Sequence, residues 1–183
     1  MTSIQEICAR SGRQLQAVPP VEVAGQALRW EDIDPWQQIE SPEPSAVIFV
    51  APEQHREEWA PNVIATCATI SPPMAADEAL HAIAGTAMSL DNWQGIEDVA
   101  GEGDPDAGGP QSVYRYIRGI YDADPGRMAT SSLLAAWNDD ERTYVFQFIA
   151  TTWQESVDSH EQAFECARLG DWTAGDIVNA MRG

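Results

Sequence analysis

With 183 residues, 44% of them hydrophobic, and seven Trp, four Tyr and four Phe, the chain has the length and aromatic content of one folded domain. It carries 29 acidic residues against 10 basic ones, a formal charge of -19. Phosphate backbones and anionic bilayers are repelled by such a charge, so nucleic-acid binding and membrane-surface attachment are not expected.

All the basic residues are Arg. Without Lys there is no P-loop lysine, no Schiff-base lysine and no lysine general base. A Lys-free, Asp- and Trp-rich composition fits high-GC codon usage, as in actinobacteria, or the acidic surface of a halophile. Cys8, Cys67 and Cys166 are odd in number and far apart. They read as reduced core thiols rather than a disulfide framework. The N-terminal stretch has no signal-peptide pattern, and no run is apolar enough to span a bilayer. A soluble, cytoplasmic protein without membrane insertion is therefore expected.

In chain order, Ser3 and Glu6 have capping-box spacing, and Ile4, Ile7, Cys8 and Leu15 form an apolar stripe. Together they predict a helix over 3–16. Pro19 and Pro20 break it, and a loose stretch runs to about residue 44, pinned to the body by Trp30 and Trp36. Residues 45–52, SAVIFVAP, predict a strand with an apolar centre. After a polar connector, 62–71 predict a second strand rich in β-branched residues. Val63, Ala65, Cys67 and Thr69 share one face; Ile64, Thr66, Ala68 and Ile70 share the other.

Beyond Ser71, Asp77 and Glu78 sit where a helix N-terminus favours acid, and Leu80, Ile83, Ala84, Ala87 and Leu90 recur at helical spacing. Strands are predicted at 93–100, 112–123, 127–137 and 142–153. The last three are joined by the short turns Asp124–Gly126 and Asn138–Asp140, which permit only antiparallel neighbours. Tyr144, Phe146 and Phe148 lie on one side of the last strand, Val145, Gln147 and Ile149 on the other. Ser159 and Gln162 have capping-box spacing for a closing helix to Gly170, and 171–183 read as a tail with one short turn at 174–181.

Candidate chemistry is thin. The stretch DVAGEGDPDAGGP, Asp98 to Pro110, resembles a calcium loop only superficially. Counted from Asp104, position 5 is Gly108 and position 12, where a bidentate Glu belongs, is Arg115. It reads as a turn. His55, His81 and His160 each lack a second ligand at metal spacing, so no metal is expected. Ser131 and Ser132 lack a nucleophile elbow, and Cys67 falls on a strand face as a buried thiol does. Asp139, Asp140 and Glu141 read as a solvated hairpin tip. Gly101-Glu-Gly103 lacks the following helix a phosphate cradle needs. No cofactor is expected.

What remains is the aromatic set on the C-terminal strands. A core accounts for most of it. The residues selected as ligand- or partner-binding are Trp137, Tyr114, Tyr116 and Trp153.

The order strand, strand, helix, four-strand meander, closing helix resembles the PsbP-like superfamily, which includes the Ran-binding Mog proteins. Within it, the chain is most similar to the actinobacterial LpqN/LpqT group. The residues that carry the likeness are Val47-Ile-Phe49, Trp59-Ala-Pro-Asn-Val63, Val113-Tyr-Arg-Tyr116 and Tyr144-Val-Phe146, with Thr151 and Phe164. It covers about residues 28–170. Unlike the lipoproteins of that group, the sequence shows no signal peptide and no lipobox cysteine. The resemblance implies a non-catalytic αβα-like sandwich that binds partners, and it brings no catalytic residues with it.

The expected architecture is α+β: an antiparallel sheet of five to six strands flanked by helices. It divides into an N-terminal helix and linker (1–27), the α+β domain (28–170) and the tail (171–183). The expected function is a non-catalytic binding or adaptor protein acting through protein contacts, with a basic partner favoured by the acidity. One alternative is a carrier with a pocket between sheet and helix for an apolar ligand such as a lipid. Another is a hydrolase whose site one sequence does not reveal.

Overall fold

A computed structural model describes residues 3–20, 22–23, 26–56, 59–102, 112–124, 126–169 and 172–183. The N-terminal third contains α1 (Ile4–Arg10), β1 (Gln14–Val18), β2 (Glu22–Val23), β3 (Gln26–Trp30), β4 (Gln37–Ile39) and β5 (Ala46–Val50). The central elements are β6 (Asn62–Ser71), α2 (Ala76–Ala87), β7 (Gln94–Glu102), β8 (Ser112–Ala123), β9 (Gly126–Asn138) and β10 (Thr143–Trp153). The chain closes with α3 (His160–Ala163), β11 (Ala167–Leu169), β12 (Trp172–Thr173) and α4 (Ala174–Arg182).

The antiparallel α+β class stands, but the sheet is larger than five to six strands. Eight strands form the main sheet in the order β4-β5-β6-β10-β9-β8-β7, with β1 also on β6. A second sheet of four strands runs β12-β11-β3-β2. The additions come from segments expected as helix, loop and tail. The expected helix over 3–16 keeps its Ser3–Glu6 capping box but ends at Arg10. Gly12 then adopts φ +68 and turns the chain, a conformation costly for residues with a Cβ. Gln14–Val18 leave as a strand paired with the second half of β6, Val18 opposite Cys67 and Gln14 opposite Ser71.

Along its other half, the same edge of β6 carries β5, with Ala46 opposite Thr66 and Val50 opposite Asn62. The opposite edge of β6 is taken throughout by β10. From β7 to β10 the chain is the expected meander. The Asp124–Gly126 turn includes Pro125, which lies outside the described residues, as do 103–110 of the acidic stretch.

The closing helix is also shorter than expected. α3 covers only His160–Ala163, followed by a 3-10 turn over Phe164–Cys166. Ala167–Leu169 are then claimed by pairing with β3, Arg168 opposite Arg29. The side chain of Ser159 falls outside those described. A capping box does form at the next helix, between Thr173 and Asp176 of α4, so the expected tail is a docked helix.

Strand alternation sorts side chains into two cores. On one face Val63, Ala65, Cys67, Leu133, Ala135, Trp137, Phe146 and Phe148 pack under the second sheet, α3 and α4, with Phe164, Ile177 and Val178. On the other, Ile70, Ile117, Leu134, Ala136 and Val145 meet Cys8 of α1 and Leu80, Ile83 and Ala84 of α2. Trp93 belongs to this second core and lies against Gly119, where an added Cβ would overlap the indole.

Arg182 fastens α4. Its Nε and Nη2 donate to Glu97 Oε1 and Oε2 at 2.8 and 2.9 Å, and Nη1 donates to Glu161 Oε1 at 3.2 Å. Its guanidinium also lies 5.2 Å from the Tyr116 ring centroid.

Two outcomes are expected in chemical denaturation. Gly119→Val lowers stability by about 1–3 kcal/mol through overpacking against Trp93; an unchanged midpoint would remove Trp93 from that position. Arg182→Met costs about 1–3 kcal/mol, because it leaves half-buried Glu97 without its bidentate partner; no loss would mean that α4 is held by its apolar face alone.

Candidate functional site

The four residues selected from sequence do not form one exposed patch. Trp137 is 1% exposed and Tyr116 2%, both in the core beneath the second sheet. Trp137 stacks on its cross-strand partner Tyr144, with centroids 5.9 Å apart and planes at 10°. Trp153, also buried, points to the other face of β10, meeting Trp59 edge-on at 4.8 Å and Arg56 at 5.6 Å. Tyr114 alone is half-buried and reaches an open groove.

Beneath this aromatic layer runs a buried polar chain that links residues far apart in sequence. His160 Nδ1 lies 2.5 Å from Ser131 Oγ, and Nε2 lies 2.8 Å from Thr152 Oγ1. Thr152 donates onward to the Trp153 carbonyl at 3.2 Å, so its oxygen accepts from Nε2–H. Nδ1 is thereby left to accept the Ser131 hydroxyl proton, and Ser131 also bonds the Tyr116 hydroxyl. Burial, with the Arg118 charge adding to it, depresses the His160 pKa to about 3, so the imidazole is neutral.

A serine hydrogen-bonded to a neutral histidine is the nucleophile–base arrangement of acyl transfer. Here Ser131 is 0% and His160 1% exposed. The chain ties α3 to the middle of β9 and β10. It is structural.

The accessible site is elsewhere. A groove of about 770 Å³ runs between α2 and the β7–β8 hairpin, lined by Asp77, Glu78, His81, Asp98, Glu102, Tyr114 and Arg115, among others. The first turn of α2 and one face of β7 supply the carboxylates. Among the described residues Arg115 is the groove's one arginine, and Asp98 holds it by two 2.8 Å bonds. That bond keeps the Asp98 carboxyl below its usual range. The groove therefore presents negative charge with its cation already engaged. A neighbouring dent of about 260 Å³ is lined by Met88, Trp93, Ile96 and Ile117 together with Glu97 and Asp98.

Sequence reasoning missed the groove because Asp77 and Glu78 look like helix-start acids and Asp98 and Glu102 like strand acids. Nothing local says that α2 lies beside β7. Likewise, no motif joins Ser131 to His160.

Among the described residues no group of His, Cys, Asp and Glu is placed to hold a metal, and no helix is long and apolar enough to cross a membrane. All three cysteines are unpaired and buried. Burial pushes the Cys67 and Cys166 thiols up to about 12.

No family model matches the chain, and no curated protein matches it. Among solved structures, the chain is similar in fold to LpqN of Mycobacterium tuberculosis, a protein involved in cell envelope biogenesis. The TM-score is 0.71 at 15% identity, over 88% of this chain and 91% of that one. A structure of a variant of the protein Mog1 aligns with a TM-score of 0.41 at 10% identity, over 92% of this chain and 90% of that one. The LpqN likeness establishes an LpqN-like fold.

The buried histidine gives a pH signature. Between pH 6.5 and about 3 the unfolded chain protonates His160 while the folded chain does not. Stability is therefore full above pH 6.5 and falls with pH by up to about 1.4 kcal/mol per unit. Glu97 and Asp98, whose pKa values are lowered, add their loss only below their ordinary values of 4.5 and 3.8. Urea denaturation between pH 6.5 and 4.5 should show the slope in the wild type and lose most of it in His160→Gln; equal slopes would mean that His160 charges freely in the fold.

Proposed function

We propose that the protein is a non-catalytic binding or adaptor module that captures a basic segment of a protein partner in the groove beside α2. The observation that carries this reading is the groove itself: open, lined by Asp77, Glu78, Asp98 and Glu102, with its arginine neutralised by Asp98. A formal charge of -19 over the chain extends the attraction beyond the groove, which speeds the encounter with a cationic partner. Placement in the cytoplasm belongs to the same proposal and is supported by three unpaired thiols.

The two alternatives fare unequally. A carrier of apolar ligands needs an apolar pocket of about 300–1,000 Å³. The groove of that size mixes Leu80, Ala100 and Val113 with four carboxylates, which an apolar ligand would have to desolvate, and the dent beside it holds about 260 Å³. A hydrolase draws more support, because His81 shares the groove with several carboxylates. Acid–base work needs such groups free to reach the proton they move on a substrate. Of the groove's carboxylates, Asp98 is already engaged by Arg115.

The test uses a fluorescent deca-arginine peptide as probe, with Asp77→Asn, Glu78→Gln and Glu102→Gln combined. Expected are a several-fold slower association and a shallower dependence on salt than in the wild type, with little change in thermal midpoint. Identical association kinetics would remove the groove as the capture site. Turnover of ester or phosphoester substrates abolished by His81→Asn would favour the hydrolase instead.

A further inference from the structure

The main sheet has a second accessible surface, on the same face as α2 but outside the core that helix covers, over β4, β5, β6 and β10. Cross-strand register places Ile39, Ile48, Ile64 and Ile149 in one row over these four adjacent strands. Ile39 is 43% and Ile64 39% exposed, and Ile48 and Ile149 are half-buried. On the reverse side of the same strands Phe49, Val63, Phe146 and Phe148 are 0% exposed. Alternation thus puts a complete core on one face and an uncovered aliphatic row on the other.

A solvated sheet face ordinarily carries charge between its apolar residues. The rows flanking the isoleucines do not. Gln37, Asn62 and Thr151 stand on one side with Val50; Thr66 and Gln147 stand on the other with Ala46. In a chain of 29 acidic and 10 basic residues, this patch is neutral throughout. Its rim is not neutral. β4 is the edge strand, preceded by Asp32 and Asp34 and followed by Glu40 and Glu43, all exposed. Asp32 Oδ1 accepts from the Gln38 amide at 2.8 Å, fixing one carboxylate beside the strand. No arginine lies between Arg29 and Arg56.

We infer that this face docks the apolar side of a cationic amphipathic helix from a partner protein. Four strands about 4.8 Å apart make a row of roughly 14 Å, the length of about three helical turns. Basic residues bordering the apolar stripe of such a helix would meet the acidic rim at β4. A second copy of this chain brings the same acids to the same edge, at a formal charge of -19 each. The surface is separate from the groove beside α2, and neither reading requires the other.

The experiment uses the full chain and a synthetic Leu/Lys peptide of about 18 residues, five turns of amphipathic helix. The controls are the same residues shuffled to abolish the apolar side, and a Leu/Glu version. Anisotropy titrations give the affinities, and backbone amide shifts give the footprint. Expected are a footprint on β4, β5, β6 and β10, no binding of the Leu/Glu peptide, and about tenfold weaker binding of the shuffled one. Ile39→Lys with Ile64→Lys should weaken binding of the Leu/Lys peptide at least as much. The groove substitutions of Asp77, Glu78 and Glu102 should change it less than about twofold. Circular dichroism checks folding; if the double variant unfolds, Ile39→Lys on the edge strand replaces it.

No binding, equal binding of the shuffled peptide, or a footprint confined to the α2 groove overturns the inference. A dimer in light scattering that Ile39→Lys dissociates overturns the choice of occupant. Failure of deca-arginine capture, with this footprint intact, would sink the groove reading alone.

Discussion

Both cores depend on the two-residue alternation held in register through β6, β9 and β10. Because β10 is paired on both edges, a slip of one position would exchange Phe146 and Phe148 with Gln147 and Ile149. It would put amide and aliphatic side chains under the second sheet and aromatic rings in water. The penalty for any other register is therefore several buried aromatics at once, each worth about 1.5–3 kcal/mol of burial. The same rule turns Ile64 and Ile149 to the opposite face, outside the second core, so the neutral isoleucine row is a by-product of the register that buries Phe146 and Phe148. Selection had only to leave it uncharged.

Inside the aromatic core, the Tyr116–Ser131–His160–Thr152 chain is a second level of specification. Each polar atom in it has a partner, which is the condition under which buried polar groups are tolerated. Apolar packing would accept α3 at several offsets along β9 and β10. A histidine reaching Ser131 with one nitrogen and Thr152 with the other accepts one.

Much of the fold was legible because it is local. Asn62–Ser71 was readable to the residue from its β-branched run, and the meander from turns too short for any parallel connection. Three-residue strands such as β4 and β11 were not legible, since their only reason to be extended is a partner far away in sequence. Phe164, Ala167 and Arg168 look helical in isolation, yet Ala167–Leu169 are held by β3. The burial of Trp137 could have been seen: the Asn138–Asp140 turn sets it opposite Tyr144, on the Phe146 side of the strand. The groove could not, because it joins the first turn of α2 to a strand edge whose juxtaposition no periodicity encodes.

One consequence lies in how β6 divides its free edge. β5 occupies Asn62–Thr66 and β1 occupies Cys67–Ser71, end to end, while β10 binds the full length on the other side. The N-terminal arm can thus peel away as a unit without unzipping β5. Amide protons of β1 are then free to exchange with solvent through a partial opening, while those of β5 wait for a larger one. A single continuous strand would have tied the two fates together; this edge has a joint in it, at Thr66 and Cys67.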